Sequence, residues 1–326
     1  MKPTAVPATG PRLDVVTFGE VMGMLVAADT GPLADVTHYT RSLAGAELNV
    51  ATGLVRLGHT AGWVGRVGDD PLGAHALAAL RAEGVDTTQV TVDPEARTGF
   101  QLKSRVTAGD PEVVYFRKHS AGSRLAPSDA ADAYVRAARH LHVTGIPAAL
   151  SGTARAFTHR AMAAARDAGL TLSFDPNLRP ALWPDRAEMV RTVNDLAVRA
   201  DWVLPGLSEG RQLTGAQDPA DVARWYLARG VRRVVLKDGA RGATLYDAAG
   251  GTWTQPVFPV RAVDTVGAGD GFAAGLISAH LDGLGPQESL ARAAAVGALA
   301  TTSHGDRDGL PTRARLESFL RTRAAA

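Results

Sequence analysis

The 326-residue chain contains no cysteine. That excludes disulfides, thiolate nucleophiles, iron–sulfur clusters and thiolate zinc sites, and it fits a cytosolic protein. A surplus of one charge is missing as well: 35 Lys and Arg face 33 Asp and Glu, with no run of five or more like charges. So balanced a chain lacks the basic stripe that nucleic acid or an anionic membrane requires, and neither is expected as a partner. Long apolar runs are absent. The longest stretch free of Asp, Glu, Lys and Arg, residues 140–154, holds two histidines, two glycines and a proline, too short and too broken to span a bilayer. Residues 1–13 carry Lys2, three prolines and Arg12 without the apolar core of a secretory signal, and read as a tail. Lysine is scarce, with only Lys2, Lys103, Lys118 and Lys237 in an Arg-dominated chain.

What is present is an ordinary globular composition, 45% hydrophobic and 21% charged, on a chain long enough for one large α/β domain or two smaller ones. No internal repeat and no Pro-, Gly- or Ser-rich linker divides it, so residues 14–326 are expected to form a single domain. Apolar runs predict strands at residues 14–18, 60–67, 140–144, 170–175, 200–205 and 231–237. Helical spacing predicts helices at 46–57, 72–83, 154–168, 220–229, 269–281, 286–302 and 312–323. This alternation predicts a parallel sheet covered on both faces. Residues 22–43 and 87–115 break the pattern. Both are polar and β-branched, and they read as strands lying outside the main sheet.

The segment Asp264-Thr265-Val266-Gly267-Ala268-Gly269-Asp270 leads into a small-residue helix. Two glycines there let backbone N–H groups converge where the helix dipole already favours an anion, which suits a transferring phosphoryl group. Asp270 falls in the first turn and could accept a proton from an attacking hydroxyl. An N-capping aspartate after a glycine turn is the plainer reading of those residues alone.

Together with Gly45-Ala46-Glu47-Leu48-Asn49-Val50-Ala51 through Gly65-Arg66-Val67-Gly68-Asp69-Asp70-Pro71-Leu72-Gly73, some 200 residues earlier, that segment resembles the paired motifs of the ribokinase-like, or PfkB-type, sugar kinases. The resemblance covers residues 15–310. It implies a three-layer α/β/α fold around a mostly parallel sheet, with a small β-sheet lid formed within about residues 22–43 and 87–118. It further implies ATP and Mg²⁺, with a monovalent cation as a further candidate, and a homodimer or larger homo-oligomer, for which open lid edges offer a surface.

Carried over residue by residue, the resemblance makes Asp270 the catalytic base and Gly267, Ala268 and Gly269 the anion hole. Gly45 and Asn49 lie against the sugar. Lys237, Gly239, Gly242 and Thr265 fall on the nucleotide side, where the small face around Ala294, Gly297 and Ala298 leaves room for adenine. Glu209 matches the glutamate of an Asn-x-x-Glu motif that organises Mg²⁺ through water, although Gly206 stands where that motif has asparagine.

Within the family the 2-keto-3-deoxygluconate kinases are most similar. Tyr115-Phe116-Arg117-Lys118-His119-Ser120-Ala121-Gly122-Ser123 resembles their lid segment, Asp175-Pro176-Asn177-Leu178-Arg179 their strand end, and Ser303-His304-Gly305-Asp306 their substrate loop. A sugar acid needs a charge-assisted donor, which Arg117 or Arg179 can supply as a bidentate fork. Arg179 could equally contact nucleotide phosphates. Tyr115 would wall the site and Asp306 would accept from distal hydroxyls. Gln101 departs from the tyrosine of those enzymes and leaves a different sugar acid or a neutral hexose open as acceptor; a related kinase for a neutral sugar or nucleoside, and a sugar-binding regulator without catalysis, are the alternatives.

Overall fold

A computed structural model of the chain describes residues 13–106, 111–303 and 305–324. Residues 1–12 of the expected tail, and His304, lie outside the described residues. The strands, in chain order, are β1 (Val15–Gly19), β2 (Met22–Thr30), β3 (Tyr39–Ala44), β4 (Ala61–Gly68), β5 (Val90–Asp93), β6 (Phe100–Arg105), β7 (Val113–Phe116), β8 (His140–Thr144), β9 (Thr171–Asp175), β10 (Trp202–Val203), β11 (Arg233–Lys237), β12 (Ala243–Asp247) and β13 (Thr252–Gln255).

Nine of these form one sheet in the order β13-β12-β11-β10-β9-β8-β1-β4-β5, parallel from β5 to β11 and antiparallel at β12 and β13. The near-continuous apolar strands are what a sheet buried on both faces demands. One core packs the helices Asp129–Arg136, Gly152–Asp167, Arg186–Ala197 and Pro219–Leu227 against one face, and a second packs Ala46–Arg56, Pro71–Glu83, Ala268–Leu281 and Pro286–Ala300 against the other. The result is the expected three-layer α/β/α arrangement.

A second sheet, β3-β2-β6-β7, stands apart from the main one, with β2 and β6 parallel and its other pairs antiparallel. The residue 87–115 stretch is therefore divided. Its first strand, β5, joins the main sheet beside β4, and only β6 and β7 join the small one. Asp70 anchors this junction by accepting from the Leu72 and Gly73 amides at the start of its helix and from Thr98 N–H, 2.7 Å away, just before β6.

The strand expected at 200–205 is reduced to β10. Leu204 N–H still reaches Phe174 O at 2.9 Å, but Pro205 has no N–H to continue the ladder. The small residues after Asp270 have a packing reason. A Cβ on Gly275 would lie 2.8 Å from Ala293 Cα, and one on Gly53 2.9 Å from Ala274 Cβ, so the Ala268–Leu281 helix is clamped between its two neighbours. That clamp fixes where its N-terminus points. Among the described residues no helix is long and apolar enough to cross a membrane.

Candidate active site

The parallel strands β1, β8, β9 and β11 all end at one edge of the sheet, where the N-termini of the Ala46–Arg56 and Ala268–Leu281 helices also meet. A crevice at this edge is the usual ligand position of such sheets. Two clefts share it. The first lies under the small sheet and is lined by Gly45, Asn49, Gln101, Tyr115, Arg117, Arg179, Asp306 and Asp270. The second runs along the other side of the Ala268–Leu281 helix and is lined by Gly239, Gly242, Thr265, Ala268 and Ala298 with Phe258 and Phe272. Glu209, Lys237 and Gly269 line both, so a molecule in one cleft can meet a molecule in the other at these three residues.

Asp270 occupies the first turn of its helix, as expected, and its Oδ2 accepts from Asn49 Nδ2 at 2.8 Å. Burial pushes its carboxyl up, the Asn49 hydrogen bond opposes this, and Asp175 adds to it, leaving the group at about 7. Glu47, two residues before Asn49 and fully buried, is also pushed up by burial to about 7, although Thr144 donates to it. Gly267 has φ +83°, and a Cβ there would overlap the Asp306 carbonyl oxygen, so only glycine allows the turn and the Asp306 loop to touch. Gly45 is similarly constrained, since a Cβ would approach Glu20 O to 2.7 Å. Ala268 N–H makes a long turn bond to Thr265 O at 3.3 Å, whereas the Gly269 and Asp270 amides precede the helix's own ladder, which begins with Gly271 N–H to Gly267 O at 2.9 Å.

On the small sheet, Gln101 and Lys103 alternate on the face of β6 that covers the first cleft, opposite Tyr115 and Val113 of β7. Gln101 is buried and Tyr115 half-exposed at the rim. Arg117 has a partner the sequence did not disclose. Its Nη2 lies 2.5 Å from Glu20 Oε2, and Nε donates to the same oxygen at 2.8 Å; Ser120 donates to the other oxygen. Asp306, expected to meet sugar hydroxyls, is engaged by Lys103 Nζ at 2.8 Å. Arg179 differs from Arg117. It donates to Asn177 Oδ1 and to the Asn177 and Leu178 carbonyls, and it forms no ion pair among the described residues. Asn177 sits at φ +41°, a left-handed conformation that asparagine tolerates, and this bend turns the chain after β9 toward the cleft.

Lys237 is the last residue of β11 rather than a solvated turn lysine, and its ammonium is paired with Asp175. Burial would lower it, but Asp175 and Glu209 outweigh burial and hold it above the ordinary lysine value. Glu209 accepts from Leu178 N–H at 2.6 Å and from Gly206 N–H at 2.8 Å, and is pushed up by burial and by Asp175. Glycine at 206 has no side chain to add. Both Glu209 oxygens thus accept backbone amides, and no cluster of three His, Asp or Glu suited to ligate a metal exists among the described residues. Gly239 and Gly242 both have positive φ, but the requirement at Gly242 is structural, because a Cβ would overlap the Gln255 carbonyl.

Sequence reasoning left four buried charges without a role: Glu20, Glu47, Lys103 and Asp175. The signal for Lys103 was available, as a rare lysine two residues from Gln101 on an alternating strand. Glu20 and Glu47 carried no such mark, since an acid after a strand or in a first helical turn is commonly solvated.

The chain matches the model of a family described as pfkB family carbohydrate kinase over residues 12–313. It is similar to a 2-dehydro-3-deoxygluconokinase of Bacillus subtilis (strain 168), 49% identical over 95% of this chain and 96% of that protein. It is also similar to a 2-dehydro-3-deoxygluconokinase of Thermoproteus tenax, 35% identical over 95% of this chain and 94% of the other. Among solved structures it resembles a putative Ribokinase II from E. coli in complex with ATP and Mg²⁺. That match has a TM-score of 0.87 and 27% identity, covering 95% of this chain and 99% of that one.

Proposed function

The chain belongs to the pfkB family of carbohydrate kinases, and from that premise we propose that it transfers the γ-phosphoryl group of ATP to the primary hydroxyl of 2-keto-3-deoxygluconate, giving the 6-phosphate and ADP. One observation carries the reading most of the way. A buried carboxylate raised to about 7 lies at the helix N-terminus where two separate clefts meet.

The sugar acid occupies the first cleft and the nucleotide the second, with the adenine against Phe258, Ala294 and Ala298. The hydroxyl attacks phosphorus as its proton passes to Asp270. The phosphorus–oxygen bond to the leaving β-phosphate breaks with its electron pair kept by ADP. A base that titrates near neutrality combines a useful ionised fraction with adequate proton affinity, and such bases contribute roughly 10² to 10⁴ in rate. Asn49 holds the carboxylate in line. Gly267, Ala268 and Gly269 place the helix N-terminus against the transferring group. The Lys237 ammonium faces the phosphates across the shared edge.

Asp175 and Glu209 suit a magnesium ion that keeps most of its water, and their mutual repulsion is the kind a divalent cation relieves. Magnesium bound there neutralises charge on the phosphate oxygens. Arg179, which makes no ion pair among the described residues, is the stronger candidate for the acid group of the substrate; Arg117 contributes from the lid with its charge already balanced by Glu20. Gln101 presents an amide to a hydroxyl or to the same carboxylate.

The reading includes a cytoplasmic homodimer or larger homo-oligomer. The strands β3 and β7 leave open edges, and Phe116, 48% exposed, is an apolar residue on one of them. Coupled ADP release with Mg-ATP tests the activity over 2-keto-3-deoxygluconate, its galactonate epimer, gluconate, fructose, ribose and adenosine. Turnover confined to the keto-deoxy acids is expected. Turnover on fructose or ribose alone would retain the kinase and reject the substrate, and nucleotide binding without release for any acceptor would favour a regulator.

A further inference from the structure

Burying an ammonium is costly unless carboxylates surround it, so a lysine 2% exposed in a strand of a small covering sheet needs a reason. Lys103 Nζ lies 2.6 Å from Asp264 Oδ2 and 2.8 Å from Asp306 Oδ1, and both carboxylates are almost wholly buried. The three residues come from three places: the middle of β6, the start of the Gly267 turn, and the loop after the Pro286–Ala300 helix. Each carboxylate continues to that turn. The second oxygen of Asp264 accepts Val266 N–H at 3.0 Å, and the backbone carbonyl of Asp306 packs directly on Gly267. Asp264 is further tied by its own N–H, and by that of Val263, to Thr301 O. A charge on the covering sheet is thus connected, through two carboxylates, to the turn that opens the helix bearing Asp270.

We propose that Lys103 is a positioning residue, a tethered cation that holds the small sheet closed over the acceptor and sets the Gly267 turn for phosphoryl transfer. This rests on the kinase reading given above. The cluster carries two carboxylates for one ammonium, so removing the ammonium leaves two like charges side by side, and they separate. That moves both the turn and the Asp306 loop. Burial would lower the Lys103 ammonium, but Asp306 and Asp264 outweigh burial and hold it above the ordinary lysine value, so it stays charged throughout the working pH range. Gln101, two residues along the same strand, then faces the acceptor because Lys103 fixes the register of β6 against the cleft.

The test compares wild type with Lys103→Met in steady-state transfer to 2-keto-3-deoxygluconate, alongside equilibrium binding of ATP and a thermal melt. The expected result is a fall in kcat of about 10²-fold or more, with nucleotide affinity within about threefold. Part of kcat should return, saturably, on adding ammonium or methylammonium chloride, and none on adding tetramethylammonium chloride, which is too large for the position. Unchanged kcat and KM in Lys103→Met would overturn the proposal. So would a loss of turnover that ammonium does not restore, whether the variant is folded or melted, because that pattern belongs to a structural staple. If the wild type itself transfers no phosphate to any acceptor in the panel while binding ATP, the kinase reading has failed and the positioning role falls with it.

Discussion

Asn49 Nδ2 donates to Asp270 Oδ2 at 2.8 Å, joining two segments 221 residues apart in the chain. The bond lies between the first turns of two helices that pack side by side. Both sequence motifs therefore serve one carboxylate. Asn49 Oδ1, the other end of the amide, is buried without a hydrogen-bond partner among the described residues, although Asn49 itself lines the first cleft.

Asp270→Asn keeps the hydrogen-bonding shape but removes the proton acceptor. Turnover is expected to fall by about 10² to 10⁴-fold with acceptor binding changed only a few-fold. Single-turnover phosphorylation and calorimetric binding separate the two effects, and near-wild-type turnover would remove Asp270 from the base role.

The same substitution should stabilise the fold above neutral pH. A carboxyl at about 7 in the folded state and 3.8 unfolded binds its proton more tightly when folded. Its favourable contribution is complete below about pH 3.8 and is lost as pH rises through about 7. Asp270→Asn escapes this loss, so its free energy of unfolding in urea should exceed that of wild type at pH 8, by at most about 4 kcal/mol, and by little at pH 4. An equal shift at both pH values would contradict the assignment.

The base must be ionised to act, so kcat/KM for the acid should rise about tenfold per pH unit below about 7 and level off above it. Glu47 titrates in the same range and its charge raises Asp270, so the midpoint belongs to the pair. Glu47→Gln is expected to move the midpoint of the pH–rate profile downward.

The two arginines should separate in their effects. Arg179→Ala is expected to raise KM for the sugar acid by about tenfold or more, the scale of a lost charge-assisted hydrogen bond, with little loss of stability. Arg117→Ala should mainly destabilise, by about 3 to 5 kcal/mol, because it strands Glu20 at 1% exposure without its counter-charge. Thermal melts together with KM for each variant decide between these patterns.

Far from the site, Asp282 receives Arg292 and Arg313. Burial would raise its carboxyl, but the two arginines override burial and bring it down to about 2. Its stabilising contribution is present above about pH 4 and lost as pH falls toward 2. Asp282→Asn should therefore cost about 1 kcal/mol at pH 7, after allowance for solvent screening, and nothing at pH 2.

The parallel core was legible because strands buried on both faces are continuously apolar and the helices between them are periodic. The glycine turn and the place of Asp270 in the first turn of the following helix were legible from the local pattern, whereas a role for them came only with the paired motif at residues 45–51. What the sequence concealed was pairing. Nothing in residues 87–115 says that Val90–Asp93 joins the main sheet while Phe100–Arg105 joins the small one, since both are β-branched or alternating and only tertiary packing selects the neighbour. The antiparallel strands β12 and β13 are short and half-exposed, without a clear apolar period. The charged pairs Glu20–Arg117, Lys103–Asp306 and Asp175–Lys237 span 97, 203 and 62 residues, and a local pattern carries no record of partners at such distances.

The most direct measurement is ³¹P and ¹³C NMR of the product formed from 2-keto-3-deoxygluconate and Mg-ATP, with Asp270→Asn as control. A phosphomonoester coupled to C6, with an equal amount of ADP and at least about 100-fold less of both from the control over the same time, is the predicted result. ADP without a phosphomonoester, or the same product at a comparable rate from Asp270→Asn, would contradict the account.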